Sequence, residues 1–318
     1  MSRAGYAAVA GACAAGAARL AYSAMSRRPP GDPKAWSRTN HRGEPVTLLE
    51  GPAVATGAIV GVLAQGVQAS LAAASGSTRT SRSPGWRCAA AMVLGGAGAA
   101  AFGAYDDLAG SGDRRGFRGH IGALRQGEVT TGAVKLGGIG LTGVVSAALA
   151  GGSPVDVMLN AGLVAGGANL LNLFDLRPGR AVKVAAASGV LLGAAGQDSV
   201  AAPLGAALGL LPEDLGERAM LGDAGANALG AMLGASAAGL SRTGRIALLI
   251  AIVGITAASE KVSFTKVIAR TPALNWLDML GRRAAPQTEP SGTEPSGTEP
   301  PSPQPPVTIP AQRPESGG

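Results

Sequence analysis

Acidic and amide side chains occur in three short groups along this chain, each where an apolar stretch begins or ends. The groups are Asp106 with Asp107; Asn169, Asn172 and Asp175; and Asp223. In the middle group the spacing of three places the two amides, and less exactly the carboxylate, on a common helical face. Hard oxygen ligands of this kind suit Mg²⁺, which keeps several waters and is usually completed by substrate phosphates. The pattern therefore indicates a magnesium–phosphate site.

Each group taken alone also fits a plainer structural role. A single carboxylate at a helix end is typical of a residue that lies among lipid headgroups, and Asp223 could be the N-cap of the helix that follows it. Four carboxylates and two amides from three stretches are harder to explain in that way, because charged groups within or beside membrane spans are costly. We therefore favour one shared site.

The elements that must position these groups are membrane helices. The chain has 318 residues and a mean hydropathy of +0.23, and only 15% of the residues are charged, whereas a soluble domain averages about 25%. Fifty glycines and long alanine runs leave little bulk for a soluble core. Apolar stretches of about 20 residues recur, and that length crosses the hydrocarbon of a bilayer. The composition argues against a soluble globular protein and predicts an all-α, polytopic membrane bundle of nine or ten helices.

Nine segments are predicted to be membrane helices. They cover roughly 4–24, 51–74, 87–105, 130–151, 154–172, 181–196, 199–211, 221–240 and 245–258. The seventh is short and flanked by Pro203 and Pro212, which leaves a tilted, a broken and a partly inserted helix all open. The first resembles a signal peptide with Arg3 before its apolar run, but Arg19 interrupts that run and we favour a retained helix.

The distribution of lysine and arginine predicts the orientation. With the amino terminus outside, the inside loops hold 18 of these cations and the outside segments hold 6. This is the bias of the positive-inside rule, and it puts all three groups at the cytoplasmic boundary. Together with an Ala/Gly/Arg bias typical of a high-GC bacterial genome, it predicts a multi-pass protein of the bacterial plasma membrane.

Other features exclude some functions and define the domain organisation. Residues 1–283 form the predicted membrane domain, and the proline-rich residues 284–318 form a disordered cytoplasmic tail. The net charge of +7 is scattered between apolar segments with few aromatic residues to stack on bases, so nucleic acid is not an expected partner. Cys13 and Cys88 lie in apolar stretches without paired spacing and are expected to be buried bystanders.

Several cations are candidates for contact with phosphate. The loop between the third and fourth segments carries Arg114, Arg115, Arg118, His120 and Arg125. Lys135 lies just inside the fourth segment and either snorkels to the interface or reaches the acidic groups as a counter-charge, two readings that stay open. In the loop 38–52, Arg38, His41 and Arg42 either contact a phosphate or anchor the loop at the surface.

The segment 259–283 alternates apolar and basic residues. Lys261, Lys266 and Arg270 are interleaved with valine, isoleucine, leucine and tryptophan, a pattern that favours a basic amphipathic piece on the inner leaflet. In the alternative reading, Glu260 and Lys261 face the active site.

At the three groups the chain resembles the polyprenyl-phosphate N-acetylhexosamine-1-phosphate transferases. This superfamily includes the phospho-MurNAc-pentapeptide translocase and the GlcNAc-1-phosphate transferases of envelope glycan synthesis. The resemblance covers roughly residues 36–283, where YDDLAG (105–110), NLLNLFD (169–175) and GDAGANALG (222–230) follow the family's motifs in order. It implies that a polyprenyl phosphate attacks the β-phosphate of a UDP-sugar and that polyprenyl-diphospho-sugar and UMP are formed. The implied cofactor is Mg²⁺, with Mn²⁺ as a substitute.

The resemblance also implies roles for single residues. The paired aspartates would assist the lipid phosphate or orient the metal, and Lys135 would neutralise phosphate charge. The predicted catalytic residues are Asp106, Asp107, Lys135 and Asp175, and the predicted metal ligands are Asp175 and Asp223. The predicted substrate-binding residues are Asn169, Asn172, Arg177, His120 and Arg42.

The chain departs from the family at three places. The family continues its second motif as DGxDG, but here Leu176, Arg177 and Pro178 follow Asp175, so Pro178 stands in place of the second aspartate. The family's histidine-rich motif near the end is missing, since the chain has only His41 and His120, and a tenth span is not evident. These losses argue against the peptidoglycan-precursor translocase itself.

Three functions follow from these observations, in order of preference. The first is a divergent transferase, and the second is a non-catalytic paralogue that binds polyprenyl phosphate or a cell-envelope partner. A transporter comes last, because transporters usually bind near the membrane midplane, whereas these carboxylates lie at one face. A homodimer is left open.

Overall fold

The computed structural model describes residues 2–74, 85–110, 122–123 and 126–283. The predicted tail 284–318 and most of the cationic loop after the third segment, including His120, lie outside the described residues.

Helices account for most of the described chain. They are α1 Arg3–Arg27, α2 Glu50–Ala74, α3 Trp86–Ala109, α4 Thr131–Ala150, α5 Pro154–Phe174, α6 Arg180–Ala194, α7 Ala201–Leu215, α8 Gly222–Ser236, α9 Arg242–Ser259, α10 Phe264–Arg270 and α11 Pro272–Met279. Strands β1 Ser37–Thr39 and β2 Pro45–Thr47 form a small antiparallel ribbon between α1 and α2, with Arg38 opposite Val46. The predicted all-α fold class is confirmed.

Each of the nine predicted segments coincides with one helix, from α1 to α9. Five of these helices, α2, α3, α4, α5 and α9, are long and apolar enough to cross a membrane, so the chain is a multi-pass membrane protein. Helices α6, α7 and α8 have 15 residues each, which is shorter than the roughly 20 residues of a typical span. Helix α7 is continuous, because Pro203 falls in its first turn, where a missing N–H is tolerated, and Pro212 falls in its last.

Helix α8 lies at the centre of the bundle. Thirteen of its fifteen residues are buried, and it packs against α2, α3 and α5. Around this centre, α1 packs on α2 and α7, α4 on α3 and α5, and α9 on α5. The central position of α8 means that its first turn, which carries the GDAG sequence, is held from several sides.

The two ends of the bundle differ in the residues that join neighbouring helices there. Asp156 at the start of α5 pairs with Arg242 at 3.0 Å and Arg245 at 2.8 Å at the start of α9, and Arg3 pairs with Asp198 at 2.8 Å. We call this the opposite end. The other end, where α3 and α5 finish and α8 begins, is called the site end.

The two cysteines are exposed and unpaired rather than buried, so that sequence expectation was wrong. In α1 the buried stripe is formed by Ala10, Ala14 and Ala18, and helical periodicity turns Cys13 away from it. Cys88 lies in the first turn of α3, next to the buried Ala89. An apolar surrounding sequence does not by itself identify a buried position when the outer surface of the bundle is apolar too.

Glycine allows a very close contact of two helix backbones where α5 crosses α8. A Cβ atom on Gly230 would lie 2.6 Å from the carbonyl carbon of Gly167, and one on Gly234 would lie 2.6 Å from the carbonyl carbon of Leu163. The two backbones therefore touch directly. In lipid, where burial of apolar groups gives little driving force, such close approach of backbones is a main source of helix association.

We expect Gly230→Ala to destabilise the bundle by about 1–3 kcal/mol, because the new methyl group must push α5 and α8 apart. Gly254→Ala is the matched control. It lies in α9 with no heavy atom within 4 Å of the added Cβ, so alanine should be neutral there or stabilise the helix by up to about 1 kcal/mol. Thermal unfolding of both variants in detergent tests the difference. Equal melting temperatures would show that the α5–α8 contact is not tight.

Candidate functional site

The side chain of Lys135 lies between two of the predicted acidic groups. Helix α4 begins after Thr130, whose hydroxyl accepts a hydrogen bond from the Ala133 N–H, and Lys135 projects from its second turn. The Lys135 ammonium is 2.7 Å from a carboxylate oxygen of Asp106 and 2.5 Å from one of Asp223, and the lysine side chain is only 13% exposed. Of the two readings left open for Lys135, the structure supports contact with the acidic groups.

Asp107 holds the first turn of α8. Its Oδ1 accepts a hydrogen bond from the Asp223 N–H at 3.1 Å, and its Oδ2 accepts one from the Ala224 N–H at 2.9 Å. The residue at the N-cap position is Leu221, whose side chain makes no capping bond. The proposed N-cap role of Asp223 is therefore wrong. A carboxylate from α3 satisfies these N–H groups and faces the positive end of the α8 dipole.

Gly222 gives the backbone the turn that this arrangement requires. Its φ of 58° lies in the left-handed region, and a Cβ there would come within 3.0 Å of a carboxylate oxygen of Asp107. A larger residue would be both strained and too close to Asp107. In the Gly222–Asp223 pair, the glycine is therefore needed for the backbone turn, whereas the aspartate is needed for its contact with Lys135.

Arg38 joins the β-ribbon to the end of α3. Its guanidinium donates to the backbone carbonyl oxygen of Asp107, and also to those of Ala35 and Ser37. These contacts hold strand β1 against the C-terminal end of α3, where the paired aspartates lie. Arg38 is therefore an anchor in this structure.

The middle group reaches the same end through Asp175, which follows the last residue of α5. Burial raises the pKa of Asp175 well above its usual range. The carboxylates of Asp214, Asp223 and Asp107 raise it further, and the Gly222 N–H partly offsets them. These interactions place Asp175 beside the first turn of α8, so all three predicted groups meet.

The two amides of the middle group do not both face the carboxylates. The Asn169 side chain donates to the Thr256 hydroxyl on α9 at 3.3 Å, so it ties α5 to α9. Asn172 is half-buried, and its backbone carbonyl accepts a hydrogen bond from the Asp175 N–H at 3.2 Å. The spacing of three therefore predicted a shared face but not the partner of Asn169.

The predicted cations Arg42 and Arg177 lie in a second charged region at the site end. Arg42 pairs with Glu217 at 3.0 Å and donates to the carbonyl oxygen of Arg283 at 2.7 Å. Burial, followed by the positive charge of Arg177, lowers the pKa of His41, which favours its neutral form near pH 7. His120, the remaining predicted contact, lies outside the described residues.

Sequence reasoning missed a buried ion pair next to this region. Arg180, in the first turn of α6, makes a bidentate contact with Asp278 of α11, at 2.7 and 3.0 Å. Lys183 donates to the carbonyl oxygen of Asp278 at 2.6 Å. In the sequence, both cations contribute to the positive-inside bias but have no predicted partner. Their position was a signal, because a cation in the first turn of a helix opposes the helix dipole and implies a specific acidic partner.

Glu50 was also missed. It is fully buried in the first turn of α2, and neither of its carboxylate oxygens accepts a hydrogen bond from a described residue. Its strongest electrostatic neighbours are Asp214 and Asp175. Buried carboxylates at the site end therefore lie not only beside Lys135, in the three predicted groups, but also at the start of α2.

The donor set is consistent with a hard cation such as Mg²⁺. The carboxylates of Asp106, Asp107, Asp175 and Asp223 all belong to the zone around the first turn of α8. Among the described residues, no three histidine, cysteine, aspartate or glutamate side chains are arranged as a metal cage.

Replacing Asp107 tests its role at the start of α8. We expect Asp107→Ala to lower the free energy of unfolding by about 0.5–2 kcal/mol, because two N–H groups of α8 lose their acceptor. Asp107→Asn keeps one acceptor oxygen and should lose less. Melting temperatures of both variants in detergent measure the effect, and an alanine variant as stable as the wild type would contradict the capping role.

No protein-family model and no curated protein matches this chain. The site geometry and the three motifs are therefore the grounds on which a function can be argued.

Proposed function

We propose that this chain transfers a sugar-1-phosphate from a UDP-sugar to a polyprenyl phosphate and forms polyprenyl-diphospho-sugar and UMP. The observation that carries the proposal is the position of the Lys135 ammonium between Asp106 and Asp223, with Asp107 bound to the same first turn of α8. Asp106 and Asp107 belong to the first of the motifs that resemble the transferase superfamily and Asp223 to the third, while Lys135 lies outside the motifs.

The location of the site supports this reaction. A polyprenyl phosphate has its phosphate at the membrane surface, whereas a UDP-sugar is dissolved in water. The site end is formed by the ends of helices long enough to cross a membrane, α3 and α5 among them. An enzyme that joins a lipid phosphate to a soluble nucleotide needs its charged groups at such a boundary.

The chemistry of phosphoryl transfer matches the side chains that are present. Catalysis of this reaction depends mostly on positioning and on neutralising charge. Lys135 is suited to neutralise phosphate oxygens. Both oxygens of Asp107 are engaged by α8 and Asp106 pairs with Lys135, so we assign these two carboxylates to positioning Lys135 and the first turn of α8 beside the lipid phosphate. Mg²⁺, or Mn²⁺ in its place, held by Asp223 and Asp175 would supply further charge neutralisation at the diphosphate.

The remaining predicted residues would serve the nucleotide side. Asn172 lies one turn before Asp175, and Arg177 lies two residues after it, near His41. Arg42 and the loop residue His120 are proposed as further phosphate contacts. Asn169 has a structural bond to α9, so we give it an indirect role in orienting the end of α5.

The same proposal includes a location. The inside loops hold 18 lysines and arginines and the outside segments hold 6, which favours a site end in the cytoplasm. A bacterial plasma membrane and a role in building envelope glycans are consistent with this orientation.

A second candidate is a non-catalytic paralogue that binds polyprenyl phosphate or an envelope partner. It is favoured by Pro178, which stands where the family has its second aspartate. It is also favoured by Lys135, which neutralises two of the site carboxylates without a metal.

The transferase is tested with purified protein, undecaprenyl phosphate, Mg²⁺ and a panel of UDP-sugars, by measuring UMP release and lipid-linked product. We expect metal-dependent turnover with one sugar, and a loss of roughly 100-fold or more in Asp223→Asn, as is typical when a group that stabilises transition-state charge is removed. Asp198→Asn is the matched control, since it changes a carboxylate at the opposite end of the bundle.

Two results would count against the transferase. Turnover that persists in Asp223→Asn would place the reaction elsewhere. Retained binding of polyprenyl phosphate with no UMP from any sugar would favour the second candidate.

A further inference from the structure

The residues that follow α9 form a segment attached to the surface of the site end. We call residues 261–280 the surface segment; it contains α10 and α11. Helix α9 is one of the five candidate membrane spans, and it runs from Arg242 at the opposite end to Ser259. Because the surface segment starts two residues after Ser259, it begins at the membrane boundary on the side of the site.

The inner face of the surface segment is fixed to the bundle. Asp278 binds Arg180 and Lys183 of α6, as described above. The ring of Phe264 stacks on Phe174 at the end of α5, with centroids 5.6 Å apart and planes 7° from parallel. These contacts fix which side of α10 and α11 faces away from the protein.

The surface segment also exposes large apolar side chains. They are Val262, Val267, Leu274, Trp276, Leu277, Met279 and Leu280, each between 39% and 64% exposed. Trp276 is the most exposed of them, in a chain that has only three tryptophans. Exposed apolar side chains in this number are unfavourable in water and usually mark a contact surface.

The surface segment also carries three cations. Lys261, Lys266 and Arg270 are all exposed, and none of them forms an ion pair with a described residue. By contrast, Arg242 and Arg245 at the opposite end pair with Asp156. The surface segment therefore presents positive charge that no described carboxylate pairs with, close to exposed apolar groups.

We propose that the surface segment lies in the headgroup layer of the membrane and binds anionic lipid, with Trp276 at the interface. Basic residues next to an apolar face are typical of helices that lie in the plane of a membrane, and tryptophan is enriched at that level. A second copy of the chain is the weaker candidate, because a symmetric contact would bring the same three cations of both copies together. This proposal does not depend on the transferase.

The fluorescence of Trp276 in bilayers tests this proposal. The full chain is placed in nanodiscs of brominated phosphatidylcholine, alone or mixed with brominated phosphatidylglycerol. The Trp276 component is the difference between wild type and Trp276→Phe. We expect this component to be quenched in both membranes, and more strongly when the anionic lipid is present.

A charge variant and a matched control identify the residues responsible. Each basic residue near an anionic surface contributes about fivefold to lipid affinity, so the triple variant Lys261→Gln, Lys266→Gln, Arg270→Gln should lose the extra quenching. The control is the triple variant Arg27→Gln, Arg28→Gln, Lys34→Gln, which removes three exposed cations near the same end of the bundle. It should keep the extra quenching by anionic lipid.

Three results would overturn the proposal. One is a Trp276 component that neither membrane quenches. Another is an equal loss, in both triple variants, of the extra quenching caused by anionic lipid, which would mean that overall charge alone is responsible. The third is protection of Trp276 from quenching by lipid that disappears on dilution of the protein, which would identify a second copy as the partner.

Discussion

Lys135 and the two carboxylates that it joins are three charged groups at the end of a membrane bundle, and the arrangement of α3, α4 and α8 depends on their pairing. The lysine side chain is 13% exposed and those of Asp106 and Asp223 are 16% and 25% exposed, so none of them is fully hydrated. If one helix moved away, an under-solvated charge would be left without a partner, at a cost of several kcal/mol. The three helices are therefore constrained to meet at this end, and the constraint gives the site its fixed geometry.

The packing of α8 makes this meeting possible. Small residues let α8 approach α5 through Gly167 and Gly230, and a Cβ on Gly103 of α3 would lie 2.6 Å from the carbonyl carbon of Asp223. Bulky side chains at these positions would hold the helices apart and separate the carboxylates from Lys135. The glycine content that makes a soluble core improbable thus serves the site directly, because it sets the distances between helix ends.

Much of the fold was predictable from the sequence, because apolar length and the position of charges are local signals. They located nine helices and predicted that the three acidic groups would share one end. What could not be predicted depends on contacts between distant residues. Asp107 caps a helix 116 positions away, Asn169 bonds to α9, and Arg180 finds Asp278 across 98 positions. Cys13 was misjudged because an apolar sequence does not distinguish a face that packs on helices from one that faces outward.

The close contact of α5 and α8 also bears on how the stability of the bundle responds to temperature. In a bilayer, separated helices would still face hydrocarbon, so breaking a contact between glycine backbones transfers little apolar surface to water. The heat capacity of unfolding in soluble proteins, about 12–15 cal/mol/K per residue, arises mainly from such transfer. A bundle joined in this way should have a much smaller heat capacity change when its helices separate. Its stability curve would then be nearly flat where that of a soluble protein of equal length is strongly curved.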